Sequence, residues 1–282
     1  VSAALPAPAG PHAGSEGLAR LEAVVTGLGR VVVALSGGAD SALLASVAHR
    51  VLGPERALCV TAVSPSLAAA DARHCGELAA AWGLRWRTVE TAEMDDPAYV
   101  ANGEDRCAHC KRALMTALGP LAAAESATVV LGVNTDDLGD HRPGQAAAAA
   151  AGARFPLVEA GLSKADVRAL SKRLGLSTWD RPASACLASR LPYGTPVRLP
   201  TLRAVEAAES ALRALGLREL RVRHHGPVAR VEVAEEELAA VWSKRAAVVA
   251  AVKAAGYEFV SLDLEGFRSG SMNRLLRRSA GV

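Results

Sequence analysis

Aromatic residues are scarce in this 282-residue chain, at 4% for Phe, Trp and Tyr together, although half of its residues are hydrophobic. A core of small aliphatic side chains is therefore expected, and the length suits two compact domains. No stretch approaches the ~20 apolar residues needed to span a bilayer. The opening residues 1–14 are rich in Ala, Pro and Gly but have neither a basic start nor a long apolar run. They read as part of a flexible leader over 1–17, not as a secretory signal. No long basic run marks an RNA-binding arm, and a formal net charge of +3 neither demands nor excludes a nucleic-acid partner. The cysteines number five, an odd count that argues against a disulfide scaffold and for a reducing cytoplasm.

What is present begins with Val31-Val32-Val33-Ala34-Leu35, an apolar, largely β-branched run that reads as a buried parallel strand. Ser36-Gly37-Gly38 then turns tightly, and Asp40-Ser41 opens an apolar-periodic helix. Such a turn points free backbone N–H groups outward, where the helix macrodipole favours an anion. Glycine allows close approach of a phosphate and left-handed φ angles. A Walker A loop is excluded because no Gly-Lys-Ser/Thr follows. The segment resembles the Ser-Gly-Gly-x-Asp-Ser pyrophosphate loop of ATP pyrophosphatases, which cleave ATP to AMP and pyrophosphate. An ordinary Gly-rich turn is the alternative, and six matching positions between strand and helix outweigh it.

The first half alternates strand and helix patterns, as doubly wound parallel α/β sheets do. Strands are expected at 31–35, 58–63, 85–89 and 128–132, with helices near 40–52, 66–82, 108–124 and 164–174. Ser163 reads as an N-cap with Asp166 at the third helical position. Residues 179–199 form a long irregular segment, and long loops in compact domains are usually functional. Beyond it, helix 200–215, strands 219–225 and 228–234, helix 236–253 and strand 257–262 suggest a small α+β domain. The expected division is a leader (1–17), an ATP-binding domain (18–195) and a substrate and oligomerisation domain (196–282).

Four further groups of residues can carry chemistry. Asp136, Asp137, Asp140 and Arg142 follow the strand at 128–132, where an open parallel sheet collects ligands. The aspartates suit Mg²⁺ beside phosphate oxygens, and Arg142 suits a phosphate or carboxylate; a solvated acidic turn is the alternative. Cys107 and Cys110 form a CxxC that reads as a redox pair, half a zinc site, part of an iron–sulfur site or two buried thiols. Cys186 lies on the irregular segment with Arg181 and Arg190 nearby, a setting that lowers a thiol pKa and favours a nucleophilic thiolate; a small buried hydrophobe is the base-rate alternative. Arg221 and Arg223 alternate on one strand face, with Arg230 on its partner, and suit a phosphate-bearing ligand. Glu206, Glu209 and Glu232 can hold a divalent metal or salt-bridge these arginines, and the salt bridge is the plainer reading.

Together the pyrophosphate loop, Arg-Cys-x-x-Cys-Lys at 106–111, the loop 132–144, Arg-Pro-Ala-Ser-Ala-Cys-Leu-Ala-Ser-Arg at 181–190, Arg-Val-Arg-His-His-Gly at 221–226 and the ending at 263–273 resemble the LarE family of ATP-dependent sacrificial sulfur transferases. The resemblance spans roughly residues 18–275; His109 and His141 stand where an aromatic such as tyrosine is expected. It implies synthesis of the nickel-pincer nucleotide cofactor of lactate racemase and related enzymes. The substrate would be pyridinium-3,5-biscarboxylic acid mononucleotide, adenylated by ATP and then thiolated. It further implies pyrophosphate and Mg²⁺ at Ser36, Gly37, Gly38, Asp40 and Ser41, with Asp137, Asp140 and Arg142 in the same nucleotide site. Cys186 would be the sulfur donor, with Asp40, Ser189 and Arg190 as fellow catalytic residues. Arg221 and Arg223 would hold the substrate phosphate, and Glu209 and Glu232 a metal. Cys107, Cys110 and Cys186 match the members that carry a [4Fe–4S] cluster, which would relay sulfide and spare the cysteine. A cytoplasmic homo-oligomer, hexamers included, acting on a small nucleotide and needing neither nucleic acid nor membrane completes the expectation. The rivals are a tRNA thiolase, an amidating NAD- or GMP-synthetase-like ligase, and a non-catalytic nucleotide-binding protein.

Overall fold

A computed structural model describes residues 15–139, 143–181 and 185–268. They form α1 (Ser15–Leu28), β1 (Val31–Ala34), α2 (Ala39–Leu52), β2 (Ala57–Val63), α3 (Ala69–Trp82), β3 (Trp86–Glu90), α4 (Pro97–Val100), α5 (Arg106–Glu125) and β4 (Thr128–Leu131). There follow α6 (Pro143–Ala150), α7 (Pro156–Glu159), α8 (Lys164–Arg173), α9 (Leu199–Ala214), β5 (Leu220–His225), β6 (Val228–Val233), α10 (Leu238–Ser243), α11 (Arg245–Ala254) and β7 (Phe259–Leu262).

The chain divides into two compact units, one of residues 1–93 and 107–184, the other of 94–106 and 185–282. This corrects the expected boundary at 195/196. Within the second unit, fully buried Asn102 donates from Nδ2 to the carbonyls of Pro192 and Thr195, both at 2.8 Å. Arg106 donates to Ala188 O at 2.9 Å, and Val197 N to Val100 O at 2.8 Å. Residues 94–106 and 185–197 are thus stitched together by hydrogen bonds that no local pattern announces. Residues 1–14 of the expected leader lie outside the described residues, whereas 15–17 already belong to α1.

The first unit is a four-stranded parallel sheet in the order β3-β2-β1-β4. Side chains alternate along β1, and both faces are apolar, as a doubly covered strand requires. Val31, Val33 and Leu35 pack with Leu21 of α1, Leu43 of α2, Leu78 of α3 and Val167 of α8. On the other face, Val32 packs with Leu58 and Val60 and with Leu114, Met115 and Leu118 of α5. This is the doubly wound α/β fold expected, with a largely aliphatic core. The chain steps from β1 through β2 to β3 and then returns to place β4 on the opposite side of β1. Ligands in such sheets bind beyond the strand carboxyl ends at that reversal, which here falls at the loops after β1 and β4.

In the second unit, β5 and β6 form an antiparallel hairpin turning at Gly226 (φ +61°), and β7 adds parallel to β6. Helix α9 packs on β5 and α11. The single helix expected over 236–253 is instead a 3₁₀ turn at Glu235–Glu237 followed by α10 and α11. Lys244 at the break adopts φ −101°, ψ 15°, and its Nζ donates to Leu215 O at 2.6 Å. That tertiary bond accompanies the interruption of an otherwise helical sequence.

Candidate active site

The loop after β1 is fixed at its root. Leu35 N donates to Val60 O at 2.9 Å, and Leu35 O accepts from Thr61 Oγ1 at 2.8 Å. Gly37 has φ +76°, and a Cβ there would meet His74 Cδ2 at 3.0 Å and Cys75 Sγ at 3.1 Å. Both conformation and space therefore demand glycine. Buried Ser41 ties the loop to the helix. Its Oγ accepts from Ser36 N at 3.1 Å, lies 3.0 Å from Ser36 Oγ and donates to Gly38 O at 3.2 Å. Gly38 caps α2 without any side-chain bond to the first turn. The N–H groups of that turn are left to an anion, which the macrodipole also favours.

The loop after β4 lies against this turn. A Cβ on Gly132 would stand 2.6 Å from Ser41 N and 2.8 Å from Ser41 Cα, so the two backbones touch. Buried Asn134 donates from Nδ2 to Asp40 Oδ1 at 3.0 Å, while its Oδ1 accepts from Asp136 N at 3.0 Å and Asp137 N at 3.3 Å. Asp137 returns the bond by accepting from Asn134 N at 3.2 Å. Lys164 completes the group: Nζ pairs with Asp40 Oδ2, and its amide donates to Asp136 Oδ2 at 3.0 Å. A capping box sets Lys164 in place, since Ser163 Oγ accepts from Asp166 N at 3.1 Å and Asp166 Oδ2 from Ser163 N at 2.9 Å.

Ser36, Gly37, Gly38, Asp40, Ser41 and Asp137 are thus gathered, while Asp140 and Arg142 lie outside the described residues. Sequence reasoning missed Lys164, which it used only as a helix start. The signal available was a lysine at the first position of a capped helix; its partner is 124 residues away.

In the second unit, half-buried Cys186 immediately precedes a 3₁₀ turn at Leu187–Arg190. Buried Arg190 holds this loop from beneath. Nη1 donates to Ala185 O at 2.6 Å, Cys186 O at 3.0 Å and Ser189 Oγ at 3.1 Å. Its Nε and Nη2 donate to Glu209 at 2.9 and 3.1 Å. Arg190 is therefore a positioning residue for the cysteine loop. Arg181, expected to assist the thiolate, pairs with Asp71 at 2.8 Å in the first unit.

Arg223 donates from Nε to Glu232 at 2.9 Å and from Nη1 to Ser189 O at 3.0 Å, and Arg230 reaches the other oxygen of Glu232 at 2.9 Å. Arg221 donates to Leu220 O at 2.8 Å, and its guanidinium lies 4.9 Å over the Phe267 ring. Burial, then the charge of Arg190, lowers its pKa to about 10.

Glu209 and Glu232, expected to hold a metal, are both engaged by arginines. Every oxygen of the two carboxylates accepts from a guanidinium, and Glu209 Oε1 also takes Val222 N at 3.1 Å. These are salt bridges, the plainer of the two readings. Cys107 and Cys110 lie three residues apart on α5, one exposed and one half-buried, and neither forms a disulfide. Among the described residues no group of three or more His, Cys, Asp or Glu side chains is assembled to hold a metal.

Residues 20–120 match the family model described as NAD synthase. Over 262 residues the chain is 36% identical to pyridinium-3,5-bisthiocarboxylic acid mononucleotide synthase of Lactiplantibacillus plantarum, covering 93% of this chain and 95% of that protein. The chain belongs to the LarE family. An uncharacterized protein of Synechocystis sp. shares 43% identity over 89% of this chain and 94% of its own length. Another, of Methanocaldococcus jannaschii, shares 24% over 85% and 91%. The LarE-family chain is accordingly an ATP-utilising enzyme of sulfur-transferase or amidating type, built on an ATP pyrophosphatase fold. No helix among the described residues is long and apolar enough to cross a membrane.

Proposed function

We propose that this enzyme adenylates the carboxylates of pyridinium-3,5-biscarboxylic acid mononucleotide and converts them to thiocarboxylates for nickel-pincer nucleotide synthesis, each transfer using the Cys186 sulfur of one chain. The observation that carries the reading is Asp40, held between Asn134 and Lys164 at the uncapped start of α2. It places a carboxylate and an ammonium beside free backbone donors, as a triphosphate requires.

A carboxylate is a poor electrophile, so its oxygen first attacks the α-phosphorus of ATP and pyrophosphate leaves. The N–H groups of the first turn of α2 and the Lys164 ammonium stabilise the departing charge. Mg²⁺, when bound, would neutralise phosphate oxygens; Asp40 fits it, because the ion needs only one or two carboxylates beside phosphate. The Cys186 thiolate then adds to the acyl carbon and AMP departs with the electron pair, leaving a thioester. Removal of the Cys186 Cα proton breaks the Cβ–S bond, and the thiocarboxylate leaves with that electron pair. The chain keeps dehydroalanine, and no redox partner is needed. Arg221 and Arg223 would hold the substrate phosphate, with Arg190 keeping the Cys186 loop in place. The setting is a cytoplasmic homo-oligomer acting on a small nucleotide.

Substrate-dependent release of AMP and pyrophosphate, followed by intact mass, tests the reading. The recovered chain should be lighter by one H₂S, and Cys186→Ala should still adenylate without transferring sulfur. An unchanged mass after thiocarboxylate formation would overturn the sacrificial step. Ammonia-dependent amide formation would favour the amidating ligase instead.

A further inference from the structure

His74 belongs to none of the roles above, yet it stands against the phosphate loop. It lies on α3, and its Cδ2 and Nε2 sit 3.0 and 3.9 Å from where a Gly37 Cβ would be. The ring therefore fills the space that the missing side chain leaves. Nε2 is buried and makes no full hydrogen bond, although the Gly37 backbone lies close enough to act on the ring as an acceptor. A buried donor without an acceptor is costly, so its place beside an anion-binding loop calls for a reason.

Burial, then the charge of Arg181, lowers the pKa of His74; Glu77, Asp71 and a weak hydrogen bond to the Gly37 backbone act in the opposite direction. A neutral imidazole carries one ring proton, and an acceptor at Nε2 selects the Nε2–H tautomer. The neighbouring acceptor is the Gly37 carbonyl. Across a trans peptide the carbonyl of one residue and the N–H of the next point in opposite directions. Drawing the Gly37 carbonyl toward α3 therefore turns the Gly38 N–H away from α3, into the anion cradle. Gly37, with no Cβ and a positive φ, lets that peptide turn at little cost.

We propose that His74 is a positioning residue for the nucleotide phosphates: its Nε2–H takes the Gly37 carbonyl when phosphate engages the loop, and this aims the Gly38 N–H at the phosphate. The inference rests on the ATP reading above and deepens it.

The test compares the parent with His74→Leu and His74→Gln, with Mg·ATP and inorganic pyrophosphate as probes in equilibrium binding. Thermal midpoints are measured with and without each probe. Leucine removes the stranded donor, so His74→Leu should melt no lower than the parent without nucleotide while binding both probes roughly tenfold more weakly. Glutamine keeps an amide donor, and His74→Gln should bind within about threefold of the parent. A simple packing role would shift melting and binding together and would not separate the two variants. Parent-like binding by His74→Leu, or equal losses in both variants with lowered melting, overturns the assignment. Failure of the parent to bind either probe would instead remove the nucleotide reading itself.

Discussion

Glu209 shows how much can rest on a single carboxylate. It is 1% exposed and takes hydrogen bonds from Arg190, Arg213 and Val222 N, while Arg190 in turn carries the Cys186 loop. Glu209→Gln would leave the Arg190 charge buried without its counter-ion, a loss of about 3–5 kcal/mol. We expect a matching fall in chemical denaturation midpoint, and sulfur transfer reduced more than AMP release. Burial acts to raise the Glu209 pKa, but the bonds and charges of Arg190 and Arg213 outweigh it and hold the group below the ordinary glutamate value. A depressed folded-state pKa gives stability that is complete above the unfolded value and lost as the pH falls through the folded one. Stability of the second unit should therefore decline below about pH 4.5, and less steeply in Glu209→Gln. At the other site, Asp40→Asn should lower adenylation by roughly 10²–10³ and leave circular dichroism unchanged. Parent-rate release of pyrophosphate by this variant would remove Asp40 from the chemistry.

Elements bring these residues together, and their legibility varied with the range of the forces that make them. The strands of the first unit fall within one residue of the positions expected, because β-branched runs between glycine breaks encode them locally. Short helices α4 and α7 escaped notice, being single turns led by proline. The Ser163 cap was legible, and its use in presenting Lys164 to Asp40 was not. Ser163→Ala should accordingly cost about 1 kcal/mol of stability and also weaken ATP binding, two effects that melting and titration read separately. Gly132 makes the strongest demand at this scale. Its Cβ position is 2.6 Å from backbone nitrogen, which no side-chain rotation relieves. Gly132→Ala should force the β4 loop off α2, lower stability by about 1–3 kcal/mol and abolish measurable ATP binding in a calorimetric titration.

For the whole molecule, two units with separate cores make a single unfolding free energy ill-defined. The chain supplies its own reporter. Trp82, Trp86 and Trp179 lie in the first unit, and Trp242, 69% exposed, lies in the second. In Trp242→Phe, tryptophan fluorescence follows the nucleotide unit alone. Its transition should gain about 2.7 kcal/mol at ATP a hundredfold above the dissociation constant. Absence of that shift would place ATP elsewhere.

The interleaving of the two units has a consequence in time. Tyr99 and Asn102 are fully or almost fully buried, and the groups that Asn102 bonds to are Pro192 and Thr195. At about 5–20 residues per second, ribosomes expose residues 94–106 several seconds before those partners emerge. During that interval the nascent chain carries a segment that the nearly finished first unit does not claim. The stretch that carries Pro192 and Thr195, just past the Cys186 turn, is thus the clasp that ends the wait.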